Sequence, residues 1–310
     1  MTGRTKQLVV GLLILAVLLG SAVVWTVGSQ LVAAAPRTIG QPPMDLEAQS
    51  VTFHSDSGSQ IHGWLCRGAM GRGAVLLLHG VRGNRLDMLS RAEFLLRAGY
   101  SVLLIDFQAH GESPGPNITF GYLESRDVTA ALRYLHEELP KDRVGVIAVS
   151  MGAAAYVLAE DRPVVDAVVL ESIYPTIEQA VRDRLRLHLG RTGPALAPLL
   201  VNQLERRLGI EASQLRPING MQAVHAPLLL VSGTLDRHTD ISEARDLFSA
   251  ASAPKRFWAV EGAGHVDLHQ FAGAQYEREI TEFFCQYLHH RAHDRVNSHS
   301  KGLDKKDLLF

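Results

Sequence analysis

Apolar residues fall along this chain in runs of two distinct lengths. Leu8 to Val27 is a continuous, charge-free run of 20 residues, and no charge lies between Lys6 and Arg37. As a helix it would be about 30 Å long, the hydrocarbon thickness of a bilayer. Further on, runs of five to seven residues recur: Ala74–His79, Ser101–Asp106, Val144–Ser150, Ala167–Glu171, Pro227–Ser232 and Arg256–Glu261. They show no alternation, which predicts strands buried on both faces, as in a parallel sheet. Helical periodicity separates them: Leu89, Ala92 and Leu96 share one face, and Asp127–Leu139, Ala153–Glu160 and Gln275–His289 read as further helices. Alternating strands and helices predict an α/β fold with a doubly wound, mostly parallel sheet, whose ligands bind at the strand carboxyl ends. Ahead of it, Val51–His54 and Gln60–Cys66 predict a hairpin turning at Asp56–Ser59.

The rhythm breaks once. Residues 172–223 contain no good strand, and Ile177, Val181, Leu185 and Leu189 repeat every four residues. Gly193, Pro194 and Pro198 interrupt the run before a second helix, Leu199–Leu208. This predicts a small helical lid over the strand ends. The arginines beside it, Arg182, Arg184, Arg186 and Arg191, are read as a solvated face, with anionic headgroups as the sharper alternative.

The organisation expected is therefore a short N-terminus (1–7), a transmembrane signal anchor (8–27), a linker (28–49) punctuated by Pro36, Gly40, Pro42 and Pro43, a catalytic domain (50–290) and a polar tail (291–310). Arg4 and Lys6 place the N-terminus in the cytoplasm and the domain on the extracytoplasmic side. The alternative is a signal peptide cut at Ala33-Ala34-Ala35, leaving a secreted or periplasmic protein. The long apolar run and Pro36 at the first position after the cut argue against it.

Composition narrows the chemistry. A net charge of −1 gives no field for nucleic acid, so none is expected as a partner. The two cysteines, Cys66 and Cys285, form no C-x-x-C pair and read as two buried free thiols, one disulfide remaining the alternative. His289, His290, His293 and His299 lack the spacing of a metal site and read as solvated tail. Asn117-Ile-Thr119 matches a glycosylation sequon, or is a plain loop.

The strand Val144–Ser150 ends at a serine with a small residue two before it and Gly two after: Ala148-Val-Ser150-Met-Gly152. Strand, sharp turn and Ala-rich helix are the setting of a nucleophile elbow, in which bulky neighbours would clash. A serine hydroxyl needs a base to take its proton and a carboxylate to orient that base. Two later strand ends supply them: Asp236 after Leu228–Gly233, and His265 in Glu261-Gly-Ala-Gly-His265. Glu171 is a rival acid at the end of its own strand, and His238 reads as a surface neighbour of Asp236. Backbone N–H groups of Met151 and Val81 are the candidate oxyanion-hole donors, with His79 and Gly80 shaping the second loop.

Taken together, His79-Gly-Val-Arg-Gly-Asn84, Asp106-Phe-Gln-Ala-His-Gly-Glu-Ser113, Ala148-Val-Ser-Met-Gly152, Gly233-Thr-Leu-Asp-Arg-His-Thr239 and Gly262-Ala-Gly-His265 resemble the α/β-hydrolases over about residues 50–290. The chain is most similar to bacterial membrane-anchored or exported members, near the Bem46-like serine hydrolases. The resemblance implies a Ser150–His265–Asp236 triad acting on acyl esters through an acyl-enzyme, with turn roles for Asp106 and His110 and no metal or cofactor. Gln108 and Ala109 stand where many members carry Arg and Gly, and Asp240 where Pro or an apolar residue is frequent; these departures bear on packing. Thioesterase or acyltransferase activity uses the same triad. Peptidase members usually carry a large accessory domain, and a dehalogenase would need Asp at position 150. A ligand-binding protein that kept the fold is the non-enzymatic alternative. The expected substrate is a small acyl ester, lipid-like if the neighbouring bilayer supplies it.

Overall fold

The computed structural model describes residues 3–289. Its frame is one sheet of eight strands: β1 (Ala48–His54), β2 (Gln60–Cys66), β3 (Ala74–Leu78), β4 (Ser101–Ile105), β5 (Val144–Val149), β6 (Ala167–Glu171), β7 (Leu228–Gly233) and β8 (Lys255–Val260). Their spatial order is β1-β2-β4-β3-β5-β6-β7-β8. β1 and β2 form the expected antiparallel hairpin and β2 lies antiparallel to β4, while β4 through β8 are all parallel. The doubly wound sheet read from the apolar runs is present; the strands of those runs lie within a residue or two of their expected bounds, and β1 starts three residues earlier than expected.

The helices are α1 (Gly3–Val32), α2 (Leu89–Arg97), α3 (Glu124–Glu138), α4 (Met151–Leu158), α5 (Ile177–Leu189), α6 (Ala197–Leu208), α7 (Ile241–Ala250) and α8 (Ala274–Leu288). The continuous apolar strands are explained by burial on both faces. Leu76, Leu78, Val146, Ala148, Leu170 and Leu230 pack toward α3, α4 and α7. Their neighbours Val75, Leu77, Ile147, Val169, Leu229 and Val231 pack toward α2 and α8, against Ala92, Leu95, Tyr276, Ile280 and Phe284. Each such side chain removed from water contributes about 1.5–3 kcal/mol, so the sheet interior carries most of the driving force.

The chain starts its parallel sheet in the middle, at β3, moves outward to β4, then returns to β5 on the other side. The carboxyl ends of β3 and β5 therefore flank a topological switch point, where a crevice must open. The segment predicted as a lid, 172–223, contains α5, α6 and short helical turns and no strand.

Two expectations need correction. The span 28–49 is not a free linker. α1 continues past Val27 to Val32, and Val24, Gly28 and Val32, one turn apart, face the domain. Beyond it, Val32 O accepts from Ile118 N (2.8 Å), Ala35 N donates to Ala109 O (2.8 Å), Arg37 N donates to Gly111 O (2.7 Å), and Ile39 and Gly40 N donate to Glu112 Oε1 (both 2.9 Å). Tertiary hydrogen bonds thus override a composition of Pro and Gly. The second correction is Cys285, which is exposed on the outer face of α8; Cys66 is buried, its thiol pushed up to about 12 by burial, and both are free. The tail 291–310 and His290, His293 and His299 lie outside the described residues; His289 packs on Tyr100.

Candidate active site

Ser150 leaves β5 with φ 52° and ψ −112° and caps the start of α4. A non-glycine residue at positive φ is strained, at a cost of order 1–3 kcal/mol, and the surroundings hold it there. Ser150 N donates to Glu171 O on the next strand (2.8 Å). A Cβ on Gly152 would sit 2.6 Å from His79 O, so only glycine lets α4 start this close to β3. Ala148 is fully buried, which explains why a methyl, and nothing larger, is tolerated at the other small position.

Asp236 and His265 arrive from two different strand ends and meet. His265 Nδ1 lies 2.8 Å from Asp236 Oδ2, while Asp236 Oδ1 accepts from His238 N (2.8 Å) and Thr239 N (3.0 Å). Burial by itself would raise the Asp236 carboxyl; the hydrogen bond and charge of His265, helped by the two amides, outweigh it and hold the group below the ordinary carboxylate value. An ionised Asp236 makes Nδ1 the protonated nitrogen of His265 and leaves Nε2 free to accept a proton. Among the described residues no hydrogen bond joins Ser150 Oγ to His265, and the serine hydroxyl faces the cavity above it. Such contacts are often long in unliganded enzymes and tighten on the substrate.

The rival acid is occupied elsewhere. Glu171 is enclosed by Arg91 (Nη2 to Oε2, 2.8 Å) and by the Tyr276 hydroxyl, and Arg91 reaches on to Asp267 (3.0 Å). This buried network braces the floor under Ser150. The His238 ring lies tilted against that of His265, centroids 4.6 Å apart, and burial together with the nearby Arg184 and His265 charges pushes it down to about 4.

The loop after β3 holds the second expected donor. His79 accepts from Phe107 N at Nε2 (3.1 Å), so its Nδ1 carries the proton and donates to Gly80 O (2.7 Å). Burial drives its basicity down to about 3, which suits a neutral hydrogen-bonding strut. Asp106 ties the same loop from below, accepting from Arg85 N (2.7 Å) and Glu112 N (2.9 Å). Met151 N, at the first position of α4, and Val81 N both lack an acceptor among the described residues. They line one cavity with Ser150.

That cavity has a volume of about 310 Å³, at the lower end of the range for small-molecule sites. Its walls are mainly apolar: Phe120, Tyr174, Ile177, Val181, Leu200 and Leu204 among them. The sequence departures find local explanations. Ala109 sits at φ 59°, the conformation for which glycine is the usual choice; Gln108 Nε2 bonds Asn117 O (2.9 Å) and Glu124 (2.8 Å); Asp240 caps α7. Thr119 of the sequon is buried, its hydroxyl bonded to Glu124 (2.5 Å). Sequence reasoning missed one whole wall of the cavity, formed by Val27, Gly28, Leu31 and Val32 of α1. The available signal was Gly28, a small residue one turn from Val24 and Val32, but Gly11 and Gly20 of the same helix carry the same signal and face open space. Among the described residues no group of three or more His, Cys, Asp or Glu is placed to hold a metal ion.

Comparison with known proteins places this geometry. Residues 75–279 match the model of the alpha/beta hydrolase family. An uncharacterized protein of Mycobacterium tuberculosis, Rv2307c, is 30% identical over 224 residues, covering 71% of this chain and 73% of the relative. The Bacillus subtilis protein YqkD is 23% identical over 213 residues, covering 67% and 70%. Among solved structures, an esterase of Pyrococcus furiosus, Pf2001, superposes with a TM-score of 0.69 at 24% identity, covering 83% of this chain and 98% of that one. An esterase of Exiguobacterium antarcticum superposes at 0.58 and 15% identity, covering 76% and 99%. At these identities the solved structures establish a shared fold.

Proposed function

The chain belongs to the alpha/beta hydrolase family, and from that premise we propose that it is a serine hydrolase cleaving carboxylic esters through Ser150, His265 and Asp236. The observation that carries the reading is the Ser150 backbone, held at φ 52° on the first turn of α4 at the floor of an apolar cavity. At the end of a buried strand and the start of a helix, that strained turn is the backbone geometry that a nucleophile elbow requires.

In the proposed reaction Ser150 Oγ attacks the acyl carbonyl carbon while His265 Nε2 takes its proton. The carbonyl oxygen becomes an oxyanion, accepting hydrogen bonds from the Val81 and Met151 N–H groups near the positive end of α4. Asp236 keeps the imidazole in the productive tautomer and stabilises its charged form. The tetrahedral intermediate collapses, the C–O bond to the alcohol breaks, and His265 returns the proton to the departing alkoxide. Water, deprotonated by His265, then attacks the acyl-enzyme and regenerates Ser150.

The test is hydrolysis of p-nitrophenyl esters, acetyl through palmitoyl, by the full chain and by Ser150→Ala. We expect a loss of roughly 10⁴-fold or more in kcat for the variant. Equal turnover by the two folded proteins would refute the mechanism.

A further inference from the structure

α1 is long and apolar enough to cross a membrane or act as a signal anchor, yet its last turns form part of the cavity above Ser150. Val27, Gly28, Leu31 and Val32 face the same space as Ile177 and Val181 of α5 and Leu200 and Leu204 of α6. The contact is held in place. Gln203 Nε2 donates to Val24 O (3.2 Å), Arg207 donates to Trp25 O (2.5 Å) and Ser29 Oγ (2.9 Å), and the Arg207 guanidinium lies 3.8 Å over the Trp25 ring. Arg82, from the loop after β3, donates to Gln30 O and to Ala33 O (3.4 Å). Gln203 and Arg207 thus add second hydrogen bonds to carbonyls inside α1, while Arg82 reaches Gln30 O in its last turn, where the helix dipole is negative. Gly28 permits the close approach: a Cβ there would sit 2.2 Å from Gln203 Oε1. Three of the polar side chains lining the cavity, Arg82, Gln203 and Arg207, are therefore engaged in fixing α1, and the rest of the lining, Arg184 and His188 aside, is mainly apolar.

The apolar surface does not stop at the cavity. Toward the N-terminus α1 exposes Leu12, Leu15 and Leu19, and the lid exposes Leu187, Leu189, Leu196 and Leu199. Moving an acyl chain into the cavity through water would expose its methylenes at about 0.8 kcal/mol each. A chain that slides along α1 from a bilayer stays in apolar surroundings throughout.

We propose that α1 is a working wall of the acyl-binding cavity and that the substrate is an acyl ester resident in the bilayer, its chain entering between α1 and the α5–α6 lid. This rests on the serine-hydrolase reading above. Water adds across the acyl C–O bond, yielding a fatty acid, which stays in the bilayer, and the lipid alcohol. Anchor and active site become one unit, so cleavage near Ala35 would remove part of the site.

The test uses the full chain in phosphatidylcholine vesicles, with p-nitrophenyl palmitate in the bilayer and p-nitrophenyl acetate in the water. Leu31→Trp, which fills the cavity from α1, should lower the palmitate-to-acetate ratio of kcat/KM at least tenfold. Leu18→Trp, on the exposed part of α1, should leave that ratio within twofold of the parent. An unchanged ratio in Leu31→Trp, or an equal fall in both variants, overturns the proposal. Because Leu31→Trp could misfold, a second measurement avoids substitution in α1. Ser150→Ala in vesicles containing a phosphatidylcholine with a diazirine at its acyl terminus should photocrosslink at Ile177, Val181 or Leu204. Crosslinks confined to residues 7–26 overturn it. If the parent chain neither hydrolyses acetate nor reacts at Ser150 with a short fluorophosphonate, the hydrolase reading itself has failed; crosslinks at the lid would then still report α1-guided lipid binding.

Discussion

Beneath Ser150, Arg91 is enclosed by Glu171, Asp267 and Tyr276, and the loops carrying Asp236 and His79 are pinned by backbone amides. Above it, α5, α6 and the end of α1 meet through aliphatic side chains, with leucines left exposed on the outer side. The floor is polar and tied together by buried hydrogen bonds and ion pairs, which hold atoms in place for proton transfer. The roof is apolar and weakly directional, which tolerates a range of acyl shapes. The difference separates what the site does from what it accepts.

Substitutions can break that contrast, and the largest effects belong to the floor. Asp236→Asn preserves the shape but lets His265 adopt the wrong tautomer; kcat should fall about 10⁴-fold, with KM for a short ester little changed. Arg91→Met leaves the buried Glu171 without its cation, only the Tyr276 hydroxyl remaining, and should lower unfolding free energy by about 3–5 kcal/mol, read by denaturant titration. Val81→Pro deletes one of the two proposed oxyanion donors, and a loss of about 10²–10³ in kcat is expected.

The smallest effect belongs to the roof. Asp183 of α5 faces Glu243 of α7, and burial plus the Asp183 charge pushes Glu243 up to about 8. A carboxyl whose folded value is raised gives stability that is full below about pH 4.3, its unfolded value, and is lost as pH rises through about 8. The thermal midpoint should therefore decline across that window, and Glu243→Gln should flatten the decline. A parent protein whose midpoint is level from pH 5 to pH 9 would show that the lid does not depend on this contact.

Much of the floor was legible in the chain. Six unalternating apolar runs meant a parallel sheet, and each candidate catalytic residue followed one of them within a few positions. Strand ends converge at one edge of such a sheet, so Ser150, Asp236 and His265 were bound to approach one another. The chain order favoured Asp236 over Glu171 as the acid facing His265, and packing shows why the rival is occupied: Glu171 is enclosed by Arg91. The roof was legible only as a helical interruption. The Pro and Gly content of residues 28–49 pointed to a linker, because composition reports local preference and not the tertiary hydrogen bonds that dock this stretch.

Periodicity, local sterics and length, which neighbouring residues encode, were enough to specify the sheet, the strained turn at Ser150 and the membrane-length helix. Tertiary structure alone decided that α1 closes the cavity. That contact joins Val24, Gly28 and Ser29 to Gln203 and Arg207 across more than 170 residues. No local pattern specifies such a pairing; it exists because the fold brings Gln203 and Arg207 of α6 against the backbone carbonyls and the Trp25 ring of α1.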